Sequence, residues 1–114
     1  MILVTNRLQI APGFGAELEK RFIDRAGKIE QEPGFIRMVV LRPVARRRNR
    51  KTGEWEETDT PQVFQIQTWW ESEQDFWNWT KSESFRAAHA VKTNPDMYSG
   101  PAAMEIHEVA IDSV

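Results

Sequence analysis

Residues 2–10, ILVTNRLQI, alternate with a period of two. Ile2, Val4, Leu8 and Ile10 fall on one side of an extended chain together with Asn6, while Thr5, Arg7 and Gln9 point the other way. The segment reads as a strand with one polar residue set into its apolar face. Pro12, Gly13 and Gly15 break it, and a helix is expected at about 16–30, with Leu18, Phe22, Ala26 and Ile29 as its buried stripe. Pro33-Gly34 makes a turn, and FIRMVVLRPV, Phe35 to Val44, is a second strand.

Beyond it, ARRRNRKTGEWEETDTP is a basic run followed by an acidic one around Gly53. Opposite charges across a turn suit an exposed hairpin whose arms attract, inserted between Arg46 and Thr60. A nucleic-acid patch is the competing reading, but Glu54, Glu56, Glu57 and Asp59 would repel phosphate. A third strand is expected from about Gln62 to Trp70. Ser72 and Asp75 then start a short helix in the manner of a capping box, and it carries Phe76, Trp77 and Trp79. Lys81 and Ser82 interrupt it, and a second short helix from about Glu83 carries Phe85, Ala88, His89 and Lys92. After Asn94-Pro95 and Gly100-Pro101, Ala102 to Ile111 makes a fourth strand.

Strand, helix, strand, strand, helix, strand is the ferredoxin-like α+β order, with an antiparallel sheet and helices on one face only. The bare face needs a cover, and a homodimer is the expected arrangement. At 114 residues the chain makes a single domain over 1–114. Hydrophobic residues at 40% and charged residues at 28% are globular values, and a net charge of −2 gives no reason to expect nucleic acid or an anionic membrane as partner. The absence of cysteine excludes disulfides, zinc–thiolate sites and thiol nucleophiles. No signal-like or membrane-spanning run is present, so the cytoplasm is the expected address.

Chemistry concentrates in Trp69–His89, WWESEQDFWNWTKSESFRAAH, which holds four of the five tryptophans and one of the two histidines. A core helix rich in tryptophan would explain it; so would a wall for a flat apolar ligand with an imidazole at its end. Asn6 is equally double-edged. Its amide either bonds a neighbouring backbone group or subunit, or donates to something bound on that face. His89 lies one turn after Phe85, and His107, near Glu105 and Val109, has no clear companion. One such histidine without cysteine or paired carboxylates does not make a zinc or non-haem iron site, yet a single axial imidazole suffices for haem. No phosphate loop, GxSxG elbow or grouped triad is present, and Met38, Met97 and Met104 read as packing.

Asn6-Arg7-Leu8, together with Thr68, Trp70, Ser72, Phe76, Trp79, Ser82, Phe85, Ala87, Ala88 and His89, resembles the IsdG-type haem-degrading monooxygenases of the dimeric α+β barrel, antibiotic-biosynthesis-monooxygenase-like superfamily. LEKRF and EPGF resemble the family too, and the likeness spans nearly the whole chain except the 46–60 hairpin. It implies that His89 is the axial ligand of haem iron, that Trp79 presses on and ruffles the porphyrin, and that Asn6 bonds the distal oxygen ligand or the haem. Phe22 and Phe85 would flank the ring. Haem would be both substrate and cofactor, opened by O2 with electrons from an external reductant or reductase, releasing iron and a bilin-type product. Two other functions keep the fold: haem carriage without cleavage, and cofactor-free oxidation of quinone-type substrates. Arg7, Arg25 and Arg86 are candidate propionate partners by charge alone.

Overall fold

The computed structural model describes residues 1–24, 28–57, 63–90 and 94–113. In chain order its elements are β1 (Ile2–Gln9), α1 (Gly15–Asp24), β2 (Phe35–Leu41), β3 (Arg46–Arg48), β4 (Trp55–Glu57), β5 (Val63–Trp70), α2 (Glu73–Thr80), α3 (Glu83–His89) and β6 (Ala103–Glu108). Four strands form one antiparallel sheet in the order β2-β5-β1-β6, the ferredoxin-like arrangement expected from the element order. The helices cross over the sheet between strands that are not neighbours, which puts the alternating strand β1 in its middle.

Register carries the alternation of β1 across the sheet. Ile2, Val4, Asn6 and Leu8 stand opposite Trp70, Thr68, Ile66 and Phe64 of β5. These are the buried positions of β5, so one face holds the core and takes the helices. Two apolar clusters share that face. Ile2, Val4, Ile29, Trp70 and Phe76 form one, and Ile10, Leu18, Phe64 and Met97 form the other. Asn6 lies on β1 between them.

Trp70 is the deepest side chain of the first cluster, with 0% of its surface exposed. Phe35 and Phe76 meet its ring at tilted angles, with centroids 5.6 and 6.0 Å away. Its indole N–H donates to Thr68 Oγ1 at 3.0 Å, so the one polar group of the tryptophan is satisfied inside the core. Gly34 has φ +80° and faces Asp75 so closely that a Cβ would lie 2.2 Å from its carboxylate oxygen. No other residue fits that turn against α2.

Several element boundaries differ from the sequence expectation. The helix α1 is described over Gly15–Asp24, and Ile29, expected in it, belongs to a separate 3-10 turn, Ile29–Gln31, closed by Glu32 N–H to Ile29 O at 3.0 Å. Ile29 still buries its side chain, which is what the apolar spacing detected. Ala26, Lys92, Gln62 and residues 58–60 of the hairpin lie outside the described residues. β2 stops at Leu41 instead of Val44, ahead of Arg42 and a proline that has no N–H for a ladder. β6 covers Ala103–Glu108 instead of 102–111. Met104, read as packing, is 49% exposed because β6 is an edge strand.

β3 and β4 pair antiparallel as a two-stranded sheet of their own. Arg46 and Arg47 stand opposite Glu57 and Glu56, and Trp55 opposite Arg48. Gly53 takes φ +76° in the turn. Among the described residues, no ion pair closes across it.

The other face of the large sheet carries Leu3, Thr5, Arg7, Gln65, Gln67 and Trp69. Arg7 pairs with Glu105 at 2.9 Å, and the Arg37 guanidinium lies 5.4 Å above the Trp69 ring. His107 is exposed, opposite Leu3. Among the described residues no helix is long and apolar enough to cross a membrane.

Candidate functional site

The gap between the two clusters opens into a cavity of about 310 Å³. Its floor is the sheet face around Asn6, Leu8, Ile66 and Thr68. One wall comes from α1 through Leu18, Arg21 and Phe22. The opposite wall comes from α2 and α3 through Phe76, Trp79, Ala88 and His89. The sequence-derived residues Asn6, Phe22, Trp79 and His89 are therefore gathered in one place, although Asn6 and His89 are separated by most of the chain.

The α2–α3 wall is built by two short helices joined at one serine. Ser72 caps α2, accepting the Asp75 N–H at 3.2 Å and donating its hydroxyl to the Asp75 carboxylate at 2.8 Å. At the other end, Ser82 bonds on both sides of the break. Its hydroxyl donates to Trp79 O at 2.7 Å and accepts from Phe85 N–H at 3.1 Å. This fixes the end of α2, which bears Trp79, against the start of α3, which bears Phe85 and His89.

Three rings follow from that joint. Trp79 leans on Trp70 at 5.7 Å and meets Phe85 edge-on at 4.8 Å. Phe85 stacks on His89 at 3.9 Å and 26°. The His89 Nδ1 lies 2.8 Å from Phe85 O. A carbonyl can only accept, so Nδ1 carries the proton and Nε2 of the neutral ring keeps a free lone pair. Helix α3 buries none of its residues, so its position depends on these contacts and on its cap.

Asn6 is half-buried, and no hydrogen bond reaches its side chain among the described residues. A carboxamide held on a largely apolar floor without a partner is a donor and acceptor kept for something else.

Phe85 does not line the cavity; it backs the two residues that do, Trp79 and His89. Of the three arginines picked out by charge, the two that are described do not line the cavity. Arg7 is on the opposite sheet face, paired with Glu105, and Arg86 is turned back to donate to Lys81 O at 3.2 Å. Arg25 lies outside the described residues. Among the described residues, the arginine and lysine side chains that line the cavity are Arg21 and Lys28, which the sequence reading missed. Arg21 was within reach of it, being three residues after Leu18 and next to Phe22 on the apolar stripe. Tyr98 also lines the cavity, from a loop bridged to Ile10 that no periodicity marks.

Trp70 and Trp77 act in packing: Trp77 donates to Glu73 at 3.1 Å beside Phe76. Trp69 faces away from the cavity. Among the described residues no three histidine, cysteine or carboxylate side chains are grouped so as to hold a metal ion by themselves.

The arrangement is a flat aromatic wall, one lone-pair imidazole and one unpartnered amide around a narrow space. It suits a planar, apolar ligand that itself brings a metal needing one more ligand.

Comparison with known proteins agrees with this geometry. The family profile for antibiotic biosynthesis monooxygenases matches residues 1–91. The chain is 38% identical, over 97% of its length and 92% of the relative's, to a heme-degrading monooxygenase of Shouchella clausii. It is 35% identical, over 89% of its length and 85% of the relative's, to a staphylobilin-producing heme oxygenase of Staphylococcus haemolyticus. Among solved structures, the heme degrader of Mycobacterium tuberculosis with two hemes in its active site superposes over 100% of both chains, with a TM-score of 0.75 and 28% identity.

Proposed function

The chain belongs to the antibiotic biosynthesis monooxygenase family and is a haem-degrading member of it, and we propose that haem enters the cavity with His89 as its axial ligand. The observation that carries this reading is the Nδ1 contact of His89 with Phe85 O, which leaves Nε2 as the only ring nitrogen able to bind a metal. The site fits the group. Trp79 would offer an apolar face to a flat macrocycle, and Asn6 an unpartnered amide to a polar atom.

When bound, haem supplies the iron that activates oxygen and the ring that is opened. The chain supplies placement. Phe85 holds the His89 ring by stacking and by its carbonyl, so the imidazole approaches along one direction. Trp79, braced from behind by Trp70, would resist a ligand pressing on it and so could strain a flat macrocycle. Asn6 would offer its amide N–H as a hydrogen-bond donor to a polar group in the cavity and so orient it. Ile66, Leu8 and Phe76 keep that side dry.

Electrons come from outside, from a small reductant or a reductase, and the cytoplasm is the setting in which such donors are at hand. A second copy covers the Leu3–Trp69 face of the sheet, giving a homodimer.

The test is a titration of the purified protein with hemin, followed by ascorbate in air. A Soret band that appears and then decays to a bilin-type spectrum is expected. A band that persists under reductant would mean haem carriage, and no band would leave a haem-free oxygenase.

A further inference from the structure

The β3–β4 hairpin reverses the charge of the rest of the chain. Residues 46–57 hold five arginine or lysine side chains against three glutamates, whereas the remainder holds ten against fourteen aspartates and glutamates. Cross-strand register sorts these groups onto two faces. Arg46 opposite Glu57 and Arg48 opposite Trp55 lie on one face, and Arg47 opposite Glu56 lies on the other. On that other face Asn49 Nδ2 donates to the Glu56 carboxylate at 2.7 Å. On the Trp55 face, among the described residues, Arg46 and Glu57 close no ion pair, and Arg48 gives its Nε–H to Gly53 O at 3.3 Å. Both guanidiniums therefore keep donors to spare.

An apolar centre lies among these cations. Trp55 and Val44 are each 70% exposed, and with Arg46 they line a shallow depression. Tryptophan and arginine side by side on a surface are the composition of an interface centre. The root of the hairpin is fixed beside the cavity. It leaves the large sheet at Leu41 and Gln65, next to Ile66 of the cavity floor. There Arg42 Nε donates to Glu19 of α1 at 2.9 Å, one residue from Leu18 of the cavity wall.

We propose that the Trp55 face of the hairpin receives an acidic one-electron carrier protein that reduces the haem. This names the class of donor for the haem reading and rests on it. Each visit passes one electron from the reduced carrier to ferric haem, with no bond made or broken. The patch suits a brief visitor. Two strands of three residues offer far less than the roughly 800 Å² per partner of a standard interface, and electron-transfer encounters are the class that works below that size. Arg46 and Arg48 steer the approach, and Trp55 supplies the contact. The glutamates decide which anion fits. Glu54, Glu56 and Glu57 repel a continuous phosphate backbone or anionic bilayer, whereas the spaced carboxylates of a protein meet the arginines one by one.

The test supplies the hemin-loaded protein with an acidic plant-type ferredoxin kept reduced by NADPH and ferredoxin reductase. Ascorbate, which needs no landing site, is the parallel donor. Turnover is followed as Soret decay in wild type, Arg46→Glu/Arg48→Glu, Arg46→Lys/Arg48→Lys and Trp55→Ser. Charge reversal should raise the KM for ferredoxin by about tenfold, with kcat and the ascorbate-driven rate unchanged. The lysine pair should stay near wild type. Trp55→Ser, which leaves the charge alone, should also raise the KM. Added salt should raise the wild-type KM and barely move that of the reversed variant.

An unchanged KM in the reversed variant overturns the proposal. So does an ascorbate-driven rate that falls in parallel, which would place the effect in the cavity. A change of oligomeric state on charge reversal would make the occupant a second copy and overturns it too. Wild type that turns over hemin with ascorbate but not with ferredoxin overturns the docking and leaves the haem reading standing. No Soret band with hemin overturns both.

Discussion

His89 Nδ1 lies 2.8 Å from the carbonyl oxygen of Phe85, and the two rings stack at 3.9 Å. One residue thus sets the tautomer of the other through its backbone and the ring direction through its side chain. His89→Ala should therefore lower turnover by at least about a hundredfold and shift the Soret band of whatever haem still binds. Added imidazole should restore part of the band by filling the vacated position. Normal turnover in His89→Ala would remove the ligand assignment.

Phe85 tests the same relationship from behind, because its ring does not line the cavity. Phe85→Leu keeps the carbonyl and removes the stack, so the axial bond should survive with a less fixed ring. Hemin affinity should fall by roughly tenfold, the scale of a lost supporting contact to a metal ligand, with the Soret position retained. Loss of the Soret position itself would mean that the ring touches the haem directly.

Ser82 joins the two helices of the wall through Trp79 O and Phe85 N–H. Ser82→Ala should cost about 1 kcal/mol of stability, the usual value of an N-cap, read from a urea transition. Because α3 buries none of its residues, the loss should also appear as weaker hemin binding. Ser82→Asp should recover the stability, since aspartate caps as well as serine.

Asn6 offers a sharper separation of fold from function. Asn6→Leu continues the apolar face of β1 between Val4 and Leu8 and removes a half-buried amide that has no partner among the described residues. Stability should hold or rise, while haem turnover should drop by about 10²-fold, the scale of losing one positioned hydrogen-bond donor at an active site. A destabilised Asn6→Leu with full turnover would make the residue structural.

The polar break at Asn6 and the aromatic density of Trp69–His89 were legible because each violates a local rule, alternation in one case and the dispersal of large side chains in the other. The fold was legible from the order of periods along the chain. What the sequence hid depends on rotation and on contacts made at a distance. Charge alone pointed to Arg7 and Arg86, but Arg7 alternates onto the wrong sheet face and Arg86 folds back on Lys81 O. Arg21 and Lys28 reach the cavity because Leu18 and Ile29 are anchored in the core, which only packing reveals. Ile29 was assigned to α1 for a similar reason: it keeps helical spacing from Leu18 and Phe22 while belonging to a separate turn.

Thr68 satisfies the buried indole of Trp70. Thr68→Val keeps the shape and strands that N–H inside the first cluster, at a cost of about 1–3 kcal/mol in chemical denaturation. With Trp70→Phe as the background, which has no N–H to strand, the same substitution should cost much less. Equal costs in the two backgrounds would mean that the hydroxyl acts elsewhere.

Among the described residues, the β3–β4 hairpin contributes nothing to the cavity. β2 and β5 are antiparallel neighbours, with Leu41 opposite Gln65, so a tight turn joins them without the insertion. Replacing residues 44–61 by an Asn-Gly turn should keep the fold and leave hemin affinity within about twofold of wild type, since the hairpin arms pair with each other and contribute no residue to the cavity. Ascorbate-driven turnover of hemin should be equally unaffected. A loss of turnover with ascorbate would show that the hairpin closes over the site; a loss confined to a protein reductant would show that it docks the donor.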